Sequence, residues 1–206
     1  MHSASPLSRT LNTENLAPKD GELYLIKQFY APDEAEQLHA QLMQELAWQT
    51  EQLFIYGRWL TVPRLMCWYG DPGATYQYSK VPHSPLPWTT SLLNIKQHLE
   101  HTLALQFNSV LANLYRNGQD SMGCHADNEP ELGPNPTIAS LSLGDSRILK
   151  FKHQDKSTAL TLNLEAGDLL LMAGSLQQHW RHELPKTRRV KGARINLTFR
   201  RVWVGC

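Results

Sequence analysis

The chain has 206 residues, of which 41% are hydrophobic and 19% charged, enough apolar surface to bury a core, so wholesale disorder is excluded and one domain is the natural size reading. No apolar run approaches the roughly 18 residues of a membrane span, the N-terminus lacks the apolar centre of a secretory signal, and three cysteines without a CxxC pair argue against a disulfide framework; the expectation is a cytoplasmic, monomeric protein. The formal charge of +1 hides an asymmetry: residues 1–180 hold 12 basic and 18 acidic side chains, whereas residues 181–206 hold eight basic ones and only Glu183.

Residues 1–20 are rich in Ser, Asn, Pro and Thr without periodicity and read as a flexible tail, leaving 21–206 as a single domain. From Pro32, acids in a first turn and then Ala35, Leu38, Leu42 and Leu46 at helical spacing predict an amphipathic helix. A second follows Pro87, with Leu92, Ile95, Leu99 and Leu103 along one stripe. Residues 51–87, crowded with aromatics yet broken by Gly and Pro, read as hairpins and loops rather than core.

After Gln106 the chain turns to short alternating or apolar segments, FNSVLANLY, TIASLSLG, RILKFKH, ALTLNLEAGDLLLM and ARINLTFRRVWV, with Gly167-Asp168 as a turn. Close-spaced short strands predict an antiparallel sandwich or jelly roll over 107–206. Helices first and strands second make this an α+β chain, its N-terminal helices buttressing one face of the sandwich.

His125 and Asp127 lie two apart, on one face of an extended backbone, close enough to share a metal. Alone, an HxD pair is weak. It gains meaning from a second histidine in the β-rich half, His179 or His182, because two histidines and one carboxylate form the facial triad of non-haem iron(II) oxygenases. In ARINLTFR, the residues Arg194, Asn196, Thr198 and Arg200 alternate with Ile195, Leu197 and Phe199 and share one face. Two aligned arginines need an anionic partner if buried, and guanidinium matches carboxylate, so a small dicarboxylate fits. Asn113 and Tyr115 show the same parity in NSVLANLY. A surface His–Asp pair and a structural salt-bridge face are the plainer readings of each piece taken alone.

Taken together, NLY, HAD, the downstream histidine and RINLTFR, preceded by VPR at 62–64, YGD at 69–71 and YQYS at 76–79, resemble the AlkB family of iron(II)- and 2-oxoglutarate-dependent nucleic-acid dioxygenases. The likeness covers roughly residues 22–204 and is greatest to the branch that repairs duplex DNA. It implies a double-stranded β-helix (jelly-roll) core with a nucleotide-recognition lid over 51–87. It implies that His125, Asp127 and His182 ligate Fe(II), leaving His179 supporting or structural. Arg194 would pair with the far carboxylate of 2-oxoglutarate, Arg200 would lie near its metal-bound end, and Asn113, Tyr115 and Asn196 would complete the cradle.

The resemblance also implies an activity: oxidative demethylation of 1-methyladenine and 3-methylcytosine in DNA, consuming O2 and 2-oxoglutarate and releasing formaldehyde, succinate and CO2. An RNA demethylase with the same chemistry, or a non-catalytic nucleic-acid-binding module with a structural metal, are the alternatives. A methyl on the Watson–Crick edge is reached only when the base leaves the stack. Tyr78 would stack on the flipped ring with Tyr76 nearby, Glu129 would read the exocyclic amine, and Arg64 would steady that acidic pocket. Phe54, Ile55 and Tyr56 before Gly57 match the hairpin finger that fills the gap in the stack. Lys186, Arg188, Arg189 and Lys191, in the loop between His182 and Arg194, are the candidate phosphate contacts; a solvated face is the plain alternative. Cys124, beside the first ligand, is expected to be a buried structural thiol.

Overall fold

In the computed structural model the described residues are 13–55, 57–74, 76–78, 81–189 and 191–203, with backbone alone at 53–55, 76–78 and 81–83. The strands, in chain order, are β1 (Glu22–Ile26), β2 (Gln49–Ile55), β3 (Arg58–Gly70), β4 (Tyr76–Tyr78), β5 (Val81–His83), β6 (Ser109–Tyr115), β7 (Met122–His125), β8 (Ile138–Gly144), β9 (Arg147–His153), β10 (Ala159–Leu164), β11 (Leu169–Ala173), β12 (Trp180–Leu184) and β13 (Arg194–Arg200). Helices α1 (Pro32–Glu45) and α2 (Thr90–Leu103) precede the β-rich half, and a single turn, α3 (Leu176–His179), leads into β12.

The strands build a seven-stranded sheet, ordered β1-β11-β8-β13-β6-β3-β2, a four-stranded sheet, β10-β9-β12-β7, and the small β4-β5 hairpin. Alternation along each strand sorts side chains between two cores. Leu169, Leu171, Ile195, Leu197 and Phe199 of the large sheet pack with Leu42, Leu92, Ile95 and Leu99 of the two helices. Leu170 and Met172 point the other way, against Leu149, Phe151, Trp180 and Leu184 of the small sheet. The large sheet is thus covered on one face by helices and on the other by the small sheet. That is the jelly-roll arrangement, and truncating a buried leucine such as Leu99 would cost about 2–5 kcal/mol.

The helices fall where the apolar spacing places them. The Glu34 carboxylate accepts the Ala31 N–H (3.2 Å) ahead of α1, and the Thr89 hydroxyl accepts the Leu92 N–H (3.3 Å) at the start of α2. Ala35 and Leu42 of α1, and Leu92, Ile95, Leu99 and Leu103 of α2, are buried. Gly167 holds the turn between β10 and β11 at φ 82°, where a Cβ would run into the Tyr30 carbonyl oxygen.

Two expectations need correction. The tail does not extend to residue 20: Ala17 is buried, the Asn15 side chain accepts the Leu23 and Ala17 N–H groups, and the Lys19 carbonyl accepts the Trp180 indole N–H. Its polar composition hides these local caps; residues 1–12 lie outside the described residues. Nor is 51–87 wholly hairpin and loop. Leu65–Gly70 of β3 pairs with β6, and Val62, Arg64, Met66, Cys67 and Tyr69 are buried. Pro63 breaks the apparent strand pattern, yet it sits where the β2–β3 register shifts, a place where a missing N–H is tolerated. Among the described residues of this stretch, Trp59 and Leu60 near the β2–β3 tip are exposed, and β4 and β5 pair as a hairpin of their own.

Candidate metal and dicarboxylate site

β7 and β12 lie side by side in the small sheet with His125 opposite His182, ring centroids 4.2 Å apart. Asp127 follows two residues after His125, buried, with Oδ1 3.7 Å from His125 Nε2. The three side chains offer ligand atoms within 4.8 Å of one another. His179 is elsewhere, its ring stacked on His153. Pairing of β12 with β7, not spacing, separates the two histidine candidates.

The surroundings prepare these groups for a cation. His125 Nδ1 lies 2.8 Å from the Gly123 carbonyl, which can only accept; the proton is therefore on Nδ1 and the Nε2 lone pair is free to ligate. Burial pushes His182 down to about 3, helped by the charge of Arg200 and opposed by Asp127, so the imidazole is neutral. Burial alone would raise Asp127, but Arg200, with Nη2 3.0 Å from Oδ1, holds it at about 2. The Gln177 Oε1 accepts the Asp127 N–H at 2.9 Å, fixing the loop that carries the carboxylate.

One pocket is lined by these three residues together with Asn113, Tyr115, Arg194, Asn196, Arg200, Arg64 and Glu129. The arginine strand β13 runs beneath it between β6 and β8, with Arg194 opposite Tyr115 and Asn196 opposite Asn113. Arg194 lies over the Tyr115 ring (5.4 Å) and donates to the Ser142 hydroxyl (2.9 Å), while its buried Nε has no hydrogen-bond partner among the described residues. Burial lowers Arg194 to about 10, still cationic at neutral pH, and raises Tyr115, which keeps its hydroxyl proton as a donor. A buried guanidinium with unused donors, in a pocket shared with a His-His-Asp cluster, fits a metal-chelating dicarboxylate.

The remaining sequence-predicted residues divide. Arg64 donates from Nε to Asn113 Oδ1 at 2.7 Å, so its direct contact is with the expected dicarboxylate cradle. Glu129 lines the pocket, and its buried Oε2 has no hydrogen-bond partner among the described residues. Tyr76 and Tyr78 form β4, and Phe54 and Ile55 end β2 opposite Trp59 and Arg58; their side chains, and all of Tyr56, lie outside the described residues. Lys186, Arg188 and Arg189 are exposed. Lys191 is instead bound to Asp145 (2.9 Å) and Ser146 (3.0 Å), because the chain turns back there into β13. Cys124 is exposed rather than buried, since it alternates with His125 along β7.

Sequence reading missed Ser140, Ser142 and Gln177. Ser140 and Ser142 share a parity in TIASLSLG that matches the β13 face they bond, a signal that was present. Gln177 carries none, since only the fold brings α3 to Asp127.

Fold and site together define an iron(II) oxygenase that takes 2-oxoglutarate, and the sequence agrees: residues 22–200 match the 2OG-Fe(II) oxygenase superfamily, to which the chain belongs. It is 35% identical over 212 residues to a Homo sapiens protein named DNA oxidative demethylase ALKBH2, covering 98% of this chain and 79% of that one. It is 36% identical over 180 residues to the Bos taurus alpha-ketoglutarate-dependent dioxygenase alkB homolog 3, covering 82% of this chain and 62% of that one. Among solved structures, that of OsALKBH1 superimposes with a TM-score of 0.65 at 17% identity, over 91% of this chain and all of that one, and shows the same fold.

Proposed function

We propose that this chain is a DNA repair dioxygenase that removes methyl groups oxidatively from 1-methyladenine and 3-methylcytosine. The observation that carries the substrate reading is Glu129, a buried carboxylate oxygen without a hydrogen-bond partner among the described residues, in the same pocket as the His125, Asp127 and His182 cluster. A carboxylate left open there is suited to an exocyclic amino group, which adenine and cytosine carry and thymine lacks. The names of the curated relatives, DNA oxidative demethylases, support DNA as the substrate.

In this reading His125, Asp127 and His182 hold the iron, and Arg194, steadied by Ser142, and Tyr115 fix the far carboxylate of 2-oxoglutarate. Arg200 keeps Asp127 ionised, and Asn196 and Asn113, the latter steadied by Arg64, close the cradle. With its co-substrates, the bound iron supplies the oxidising power that hydroxylates a methyl group, which then leaves as formaldehyde. The protein's own part is orientation: Glu129 and the aromatic residues of the β4-β5 hairpin hold the base so that its methyl faces the metal. Lys186, Arg188 and Arg189 contact phosphates, and the β2–β3 tip, with Trp59 and Leu60 exposed, enters the gap left by a flipped base.

The test is turnover on matched oligonucleotides carrying 1-methyladenine as duplex DNA, single-stranded DNA and RNA. DNA should be repaired faster, and Phe54→Ala with Trp59→Ala should lower duplex turnover more than single-strand turnover. Faster turnover of RNA would make the RNA demethylase the better reading, and equal losses on duplex and single strands would remove the wedge.

A further inference from the structure

We propose that the chain carries a second metal site, formed by Asp20, His153 and His179 and suited to a first-row divalent cation, with Zn2+ as its occupant. The three residues come from three separate places: the segment before β1, the end of β9 and the end of α3. Their ligand atoms lie within 4.8 Å of one another, as do those of the His125 cluster, and the two groups share no residue.

His153 carries the argument. It is 6% exposed, and both its ring nitrogens face carboxylates: Nδ1 is 2.7 Å from Asp155 Oδ1, and Nε2 is 3.2 Å from Asp20 Oδ2. The Lys19 ammonium, 2.5 Å from Asp155 Oδ2, and the Ser157 hydroxyl and N–H, which donate to Oδ1, fix the Asp155 carboxylate beside Nδ1. Nδ1 accepts the Asp155 N–H at 3.3 Å and lies 2.7 Å from Asp155 Oδ1, a carboxylate placed to take an Nδ1 proton when Nε2 ligates a metal. Nε2 is the ring atom aimed at the other two groups. It is buried, makes no hydrogen bond, and has another carboxylate and the His179 ring beside it.

A buried imidazole nitrogen 3.2 Å from a carboxylate, with no hydrogen bond made between them, is a position a cation can take in place of a proton. A carboxylate that fixes one imidazole nitrogen while the other ligates is the usual support of a metal-bound histidine. Two imidazoles and one carboxylate suit zinc, which binds such ligands at about 2.0–2.2 Å and takes water as a fourth. Closing the group to those distances needs movements of about 1 Å or slightly more. The Asp20 side chain is half exposed, and His179 ends a one-turn helix, so both have room to move.

The consequence is structural. An ion there ties the segment that docks through Ala17 and Lys19 to α3, the turn that also presents Gln177 to Asp127. The second site thus anchors the element that supports the first.

The experiment uses the full chain with the oxygenase cluster disabled, His125→Ala with Asp127→Ala, stripped of metal and titrated with Co2+ alone and then Zn2+ alone. One equivalent should bind, with the visible absorption of Co2+ in a nitrogen and oxygen site, and Zn2+ should raise the Tm. Adding Asp20→Asn or His179→Gln, both at positions not fully buried, should weaken binding at least tenfold and abolish the Zn2+-dependent rise in Tm. Failure of the His125→Ala/Asp127→Ala protein to bind either ion overturns the proposal. Binding unchanged by Asp20→Asn and His179→Gln overturns it equally.

Discussion

His125 and His182 are register partners across the β7–β12 ladder, so the spacing of two candidate iron ligands is set by backbone hydrogen bonding and not by their rotamers alone. The third, Asp127, has no such ladder. It sits in the loop after β7 and is held by Gln177 through its N–H and by Arg200 through its carboxylate.

That difference makes Gln177 a positioning residue. Gln177→Leu leaves the buried Asp127 N–H without its acceptor, at a cost of about 1–3 kcal/mol, and support of this kind is typically worth about 10–100-fold in metal affinity. The expected outcome is weaker Fe(II) binding with little change in KM for 2-oxoglutarate at saturating iron. Gln177→Glu, which keeps an acceptor, should recover part of the affinity.

Arg194 gives the opposite split. Its guanidinium lines the pocket, and its buried Nε has no hydrogen-bond partner among the described residues. Arg194→Ala should raise KM for 2-oxoglutarate about tenfold to hundredfold, the range of about 1.5–3 kcal/mol for a hydrogen bond to a charged group. Arg194→Lys should recover only part of this, because an ammonium cannot make the paired contact. Steady-state kinetics with varied 2-oxoglutarate separates these outcomes.

The basic loop allows a prediction in which one residue serves as control. Three exposed contacts, Lys186, Arg188 and Arg189, should give a slope of about −2 to −3 in log affinity for DNA against log salt. Replacing all three with Ala should remove most of that slope. Lys191→Ala should leave it nearly unchanged, because Lys191 is already engaged by Asp145. Fluorescence anisotropy of a labelled duplex across salt concentrations measures both.

Acid sensitivity should trace in part to Asp120. Burial alone would raise its carboxyl, but Arg116, at 2.7 Å, and its backbone N–H hold it below the usual carboxylate range. A folded value depressed below the unfolded 3.8 means that this stabilisation is complete above about pH 4 and is lost as pH falls through the folded value. With Arg116 half exposed, the contribution is about 1 kcal/mol. Asp120→Asn should therefore lower stability at pH 7 and flatten its decline between pH 4 and 2, as read by urea denaturation.

Much of the site was legible where chemistry follows the strand period. Arg194, Asn196, Thr198 and Arg200 share a face by parity alone, and the structure seats that face in the pocket. His182 was different: spacing left it level with His179, and only the resemblance, and then the pairing of β12 with β7, separated them. What stayed hidden depends on contacts across the chain. Asn15 and Lys19 dock a segment that reads as disordered, Pro63 masks a strand that enters the large sheet, and Lys191 finds Asp145 46 residues away.

The central claim is that the His125, Asp127 and His182 cluster drives 2-oxoglutarate-dependent demethylation of DNA. It is tested most directly by measuring succinate and formaldehyde together from one reaction of the protein with Fe(II), 2-oxoglutarate and a 1-methyladenine DNA oligonucleotide. Equal amounts of the two products, both lost in His125→Ala and in Asp127→Ala, are the predicted result. Succinate without formaldehyde, or product formation that survives either substitution, would contradict it.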